Sequence, residues 1–120
     1  VEHRMDLIYQ GVVTGEITLP RWVELCSTTP ARMMGLYPRK GTIQPGADAD
    51  VVIYDPRATW TISVDNHHMS IDHSAYEGIE VGGHVDTVLS RGRIIIDDNQ
   101  YLGSMGDGQY LRRGLSSYLI

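Results

Sequence analysis

Lys40-Gly41-Thr42-Ile43-Gln44-Pro45-Gly46-Ala47-Asp48-Ala49-Asp50-Val51-Val52-Ile53-Tyr54-Asp55 divides the chain into two parts of different periodicity. Pro45-Gly46 has the chemistry of a type II turn, with proline fixing φ at one central position and glycine accepting φ > 0 at the next. Asp48 and Asp50 follow the turn, where a short carboxylate can accept from local backbone N–H groups. Val51–Tyr54 is then an unbroken apolar run, which predicts a short strand buried on both faces and ended by Asp55-Pro56.

Upstream, residues 1–37 predict helices. Met5, Ile8, Tyr9, Val12 and Val13 recur at the i, i+3, i+4, i+7, i+8 spacing of one helical stripe. Gly15 is a stop. Thr18 can cap a second helix, with Pro20 in its first turn, where the missing N–H costs nothing. Trp22, Val23, Leu25 and Cys26 are its candidate core residues. Thr29-Pro30 starts a third, short helix that carries Met33 and Met34 and stops at Gly35.

Downstream, Trp60, Ile62 and Val64 alternate with Thr61, Ser63 and Asp65, the period of a strand with one wet face. Residues 66–83 look irregular, with one helical turn at Ser74–Glu77. Val85–Arg91 and Arg93–Asp97 are β runs separated by Gly92, and Asp98-Asn99 makes a tight turn into Gln100–Leu102. Helices first and strands second make an α+β chain. Four or five short strands form a poor independent sheet, so something should cover it.

Composition narrows the partners. Of the 120 residues, 42% are hydrophobic and 21% charged, as in ordinary globular domains rather than disordered ones. The net charge of −5 argues against nucleic acid and against anionic membranes, which reward clustered Lys and Arg. Cys26 is the single cysteine, so no intrachain disulfide can form, and a reducing, cytoplasmic setting fits. No apolar run approaches the ~20 residues of a membrane span. The chain opens on Val1-Glu2-His3-Arg4, without an initiator Met or an apolar leader, as a fragment of something longer would.

Several groups invite a chemical reading. His67, His68, Asp72 and His73 are of zinc-ligand type, but adjacent histidines diverge on a strand and on a helix alike, and no HExxH-like frame supports them. Structural or interface histidines are the better reading. Asp48 with Asp50, and Asp97 with Asp98, lie at turns with nothing to split their acidities. Gly103–Gly108 lacks the Lys-Ser/Thr of a phosphate cradle and reads as a flexible linker. Cys26 lies on a helix stripe and reads as a buried core thiol. No catalytic, substrate-binding or metal residue is assigned in this chain.

Thr29–Leu36 followed by Lys40–Asp55 resembles a signature of the amidohydrolase superfamily. Asn66-His67-His68-Met69-Ser70-Ile71-Asp72-His73-Ser74-Ala75-Tyr76-Glu77-Gly78 is similar to a segment of its dihydropyrimidinases and hydantoinases. The opening Val1–Met5 and the ending Gly108–Gly114 resemble the same group, so the likeness runs through the whole chain. Asn99 departs from it, standing where relatives commonly carry Gly; asparagine tolerates the left-handed region.

The resemblance implies a domain plan in which 1–37 are the last helices of a (β/α)8 barrel, 38–102 part of a flanking β-sandwich with the irregular 66–83 insert, and 103–120 a tail. It implies an enzyme that opens cyclic amides with two zinc ions bridged by a carboxylated lysine, all of whose ligands lie upstream of Val1. It also implies a homotetramer in which Tyr110, Leu115, Tyr118 and Leu119 of the tail pack on a neighbouring subunit. Two other readings stay open: a non-catalytic interaction protein of the same family, and a self-standing α+β binding domain.

Overall fold

The computed structural model describes residues 2–118. Its elements are helices α1 (Arg4–Val13), α2 (Leu19–Val23) and α3 (Thr29–Met33), with a π-helical turn at Glu24–Thr28. Strands β1 (Val51–Thr61), β2 (Glu80–Ser90), β3 (Arg93–Asp97) and β4 (Gln100–Tyr101) follow. The chain is α+β, with helices packed on one four-stranded antiparallel sheet of order β1-β2-β3-β4.

The helix punctuation follows the sequence. Gly15 takes φ +80° just beyond α1, and Gly35 takes φ +66° beyond α3. The Thr18 side chain accepts from the Arg21 N–H at 3.3 Å. Thr18→Ala should therefore lower stability by about 0.5–1 kcal/mol in urea unfolding. One expectation is corrected: the second and third helices are a single continuous helical run. Pro30 lacks an N–H, and its ring crowds the carbonyl four residues earlier. The Thr29 N–H instead reaches Glu24 O, an i→i−5 bond, and this wider turn carries the helix into the proline.

Tyr9, Trp22 and Cys26 form the buried centre, with Met5, Ile8, Val12 and Ile17 packed around them and Tyr54 entering from β1. Trp22 stands edge-on to Tyr9 at 5.1 Å and tilted to Tyr54 at 4.9 Å. Its Nε1–H donates to Met5 O at 3.1 Å. Of the predicted stripe of α1, Tyr9 packs on both Trp22 of α2 and Tyr54 of β1, while Val13 is exposed. Of the other candidates on the second helix, Val23 is exposed and Leu25 half-buried.

The strands depart further from expectation. β1 does not stop at Asp55-Pro56 but runs to Thr61, absorbing these residues in a bulge where its register against β2 shifts between Asp55 and Thr59. As an edge strand it can carry a proline, whose missing N–H breaks no ladder bond. Nor is Val51–Tyr54 buried on both faces: Val52 and Ile53, which point to opposite faces of the sheet, are both exposed. Trp60 and Thr61 end β1, and Val64 lies in a turn rather than a strand. β2 begins at Glu80, inside the stretch expected to be irregular. The remaining turns agree: Arg91-Gly92 and Asp98-Asn99 both take positive φ, as two-residue hairpin turns require, and a turn closes at Ser74–Glu77 through Glu77 N–H to Ser74 O.

The tail is anchored in part on this chain. Gly114 N–H donates to Gly35 O at 2.8 Å and Ser117 N–H to Arg32 O at 3.3 Å, which satisfies carbonyls at the end of α3. Tyr110, Leu115 and Tyr118 remain exposed; Leu119 lies outside the described residues.

Candidate functional site

The face of α1 turned to the sheet is polar. Asp6, Gln10 and Val13, at i, i+4 and i+7, all meet β2. Gln10 donates to Gly82 O at 3.1 Å and accepts from the Gly82 N–H at 3.0 Å. Asp6 is only 3% exposed. Its Oδ2 accepts from His84 Nδ1 at 2.7 Å. The His84 ring in turn lies flat on Trp60, with centroids 4.0 Å apart and planes within 4°. A second carboxylate–histidine pair stands one turn earlier. Glu2 accepts from the backbone N–H of His68 at 2.8 Å and lies 2.7 Å from His68 Nδ1, while His68 Nε2 meets Asn99 O at 3.1 Å.

These groups rim a cleft of about 380 Å³ floored by Val52, Trp60, Val88 and Ile96. Beside it, burial and the Asp6 carboxylate push the Tyr54 hydroxyl far above the usual tyrosine range. The carboxylates and imidazoles are paired with one another, which suits joining helix to sheet better than attacking a substrate. Asp6→Ala, which leaves His84 without its acceptor, should cost about 2–3 kcal/mol in urea unfolding.

The groups singled out in the sequence are dispersed. His67 Nδ1 accepts from Met69 N–H, His68 pairs with Glu2, and His73 meets Asp72 at an exposed position. Among the described residues no group of three or more His, Cys, Asp or Glu is arranged to hold a metal ion. Asp48 and Asp50 both bind Lys40, and Asp48 also binds Arg39 at 3.0 Å. The Lys40 contact is the main cause holding the Asp48 carboxyl below its usual range. For Asp50, burial acts upward but is outweighed by Lys40 and the Arg91 N–H. Asp97 and Asp98 sit at the β3–β4 turn.

The expected linker at Gly103–Gly108 is corrected to a fastened turn. Asp107 accepts from Ser104 N–H at 2.8 Å and pairs with Arg93 at 3.0 Å, and its carbonyl accepts from Arg91. Cys26 is buried, and that burial pushes its thiol upward, opposite to what a thiolate nucleophile requires. Asp6, Gln10 and His84 were not anticipated. Asp6 and Gln10 lie off the apolar stripe, and the histidine is 78 positions from its carboxylate, so no local pattern joins them.

Helices followed by an antiparallel meander, joined through the turn at Lys40–Asp50, define the class. Residues 1–95 match the amidohydrolase family, and the chain belongs to it. Within the family it is similar to the D-hydantoinases. It is 55% identical to that of Streptomyces coelicolor over 99% of this chain and 26% of the relative, and 46% identical to that of Ralstonia pickettii over 94% and 25%. The solved D-hydantoinase (dihydropyrimidinase) of a Thermus species superposes with a TM-score of 0.91 at 42% identity, over 96% of this chain and 25% of that one. The chain thus spans about a quarter of the length of these relatives.

Proposed function

We propose that this chain is the bracing quarter of a cyclic-amide hydrolase that opens dihydropyrimidine or hydantoin rings. The observation that carries the reading is 55% identity to a D-hydantoinase across 99% of the chain. In this reading residues 1–37 complete a barrel, 38–102 contribute to a sandwich, and the sheet braces the helices through Asp6–His84 and Gln10–Gly82. A cytoplasmic setting belongs to the same reading and rests on the single, unpaired Cys26. No helix among the described residues is long and apolar enough to cross a membrane.

Two zinc ions would generate the hydroxide nucleophile and polarise the ring carbonyl. The residues here do not suit such a centre. Their carboxylate–histidine pairs are closed on each other, and an open position is what a catalytic zinc needs. In this reading the metal ligands lie outside this chain, and no catalytic step is assigned to its residues. The exposed Tyr110, Leu115 and Tyr118 fit a contact with a neighbouring subunit of a tetramer. Truncation after Asp107 should lower the oligomeric state in size-exclusion with light scattering; an unchanged tetramer contradicts that assignment.

The test of function is turnover of hydantoin and dihydrouracil by the longer protein, before and after chelation. Ring opening that is lost with the metal and restored by zinc is expected. No turnover on either ring would favour the non-catalytic member of the family.

A further inference from the structure

α1 fastens β2 near its start, where Gln10 takes Gly82 and Asp6 takes His84. The other end of β2, at Ser90, lies roughly 20 Å beyond His84 at about 3.3 Å per residue. There the Arg91-Gly92 turn is held from two sides. On one side is the linker before β1. Asp50 Oδ1 accepts from Arg91 N–H at 2.8 Å, and Gly92 N–H donates to Ala49 O at 2.8 Å. That linker returns to the helices at Gly41, whose carbonyl accepts from the Thr28 hydroxyl at 2.8 Å. On the other side is the tail. The Arg91 guanidinium donates to Asp107 O, and Arg93 donates to the Asp107 carboxylate at 3.0 Å.

Seven positions later the tail meets the end of α3. Gly114 N–H donates to Gly35 O and Ser117 N–H to Arg32 O, while Arg113 reaches Met34 Sδ at 3.8 Å. The tail backbone lies directly on Gly35. A Cβ there would stand 2.1 Å from Gly114 O and 2.6 Å from Gly114 C, with backbone atoms as the obstacle. Between the two anchors Gly108–Tyr110, Arg112 and Arg113 are exposed, so the tail grips the rest of the chain chiefly at its ends.

We propose that residues 107–117 form a strap that ties the β2–β3 turn to the C-terminal end of α3 and so sets the tilt of the sheet on the helices. With the strap fastened, β2 is held at both ends. With either anchor open, the far end of β2 rests on the linker alone and can rock about the α1 contact.

The two anchors support each other although they share no contact. While Asp107 is bound, Gly114 is confined near Gly35, which raises its effective concentration there; the converse holds when Gly114 is bound. The strap does not depend on the subunit contact proposed above, because neither Gly35 nor Asp107 is among the tail residues assigned to that contact.

The test is amide hydrogen exchange in the longer protein, read at the anchor that each substitution leaves intact. Asp107→Ala removes the carboxylate bound by Arg93 and by Ser104 N–H and opens the near anchor. Exchange at Gly114 and Ser117 should then quicken at least about threefold. Gly35→Ala forces the tail off α3, and exchange at Arg91 and Gly92 should quicken by a similar factor. Gly15→Ala is the control. Gly15 also takes positive φ beyond a helix, but a Cβ there would meet nothing within 4 Å. It carries the backbone strain without displacing the tail, so both anchors should exchange as in the wild type. If Gly35→Ala does not fold, Asp107→Ala decides alone. Quickening at the distant anchor with Gly15→Ala silent supports the strap. Changes confined to the substituted anchor, or equal quickening in Gly15→Ala, overturn it.

Discussion

Trp22→Ala is expected to lower the stability of the chain by about 3–5 kcal/mol, the largest effect of any single truncation in the helical half. The indole is buried between the rings of Tyr9 and Tyr54, and each contact has the tilted or edge-on geometry that aromatic pairs favour. Its N–H also satisfies the Met5 carbonyl in the first half of α1. The truncation removes a side chain that touches both α1 and β1, so helices and sheet should loosen as a unit. Domains of this size have only about 5–15 kcal/mol in total, so the loss should be visible as a large drop in the urea midpoint. Trp22→Phe keeps a ring and loses the N–H, and should cost about 1–2 kcal/mol. Equal midpoints for the two variants would mean that ring packing contributes little.

Gly83→Ala should be nearly as damaging although it adds a single methyl group. Gly83 takes φ +82°, and a Cβ there would lie 2.7 Å from Cε1 of both Tyr9 and Tyr54. The left-handed backbone costs an alanine roughly 1–2 kcal/mol. Overpacking against the buried Tyr9 ring and the half-buried Tyr54 ring adds about 1–3 kcal/mol. Gly82→Ala is the control. That residue has no positive φ, and its nearest neighbour would be Val13 Cγ2 at 3.5 Å, an ordinary contact. Thermal melts should therefore separate adjacent glycines, with a fall of several degrees or more for Gly83→Ala and little change for Gly82→Ala. Similar melting temperatures for both would show that β2 can move away from the tyrosines.

The parts of the fold that were legible in the sequence are those fixed by local chemistry. Thr18, Gly15, Gly35, Pro45-Gly46, Gly92 and Asp98-Asn99 each punctuate the backbone as their φ preferences and side chains require. The strand limits were less legible, because Asp55-Pro56 is a breaker only where both strand edges are paired. At an edge the same dipeptide is accommodated by a bulge, and edge position is a tertiary fact. Gly82-Gly83 read as loop residues, yet they are strand residues: Gln10 pairs with the Gly82 backbone, and the two tyrosine rings leave no room for a Cβ at Gly83. The Asp6–His84 pair illustrates the limit for the candidate site. Neither residue belongs to a motif, and only the packing of α1 on β2 brings them within hydrogen-bonding distance. The histidine-rich stretch at His67, His68 and His73 was visible, but which ring receives a carboxylate depends on Glu2, far away in sequence.

The bracing role has one direct test: ring-opening turnover of hydantoin by the longer protein, measured beside the same 120 residues supplied with zinc. Metal-dependent turnover is expected in the longer protein and none in the 120-residue chain, where Asp6 pairs with His84 and Glu2 with His68. Turnover by the short chain would contradict it.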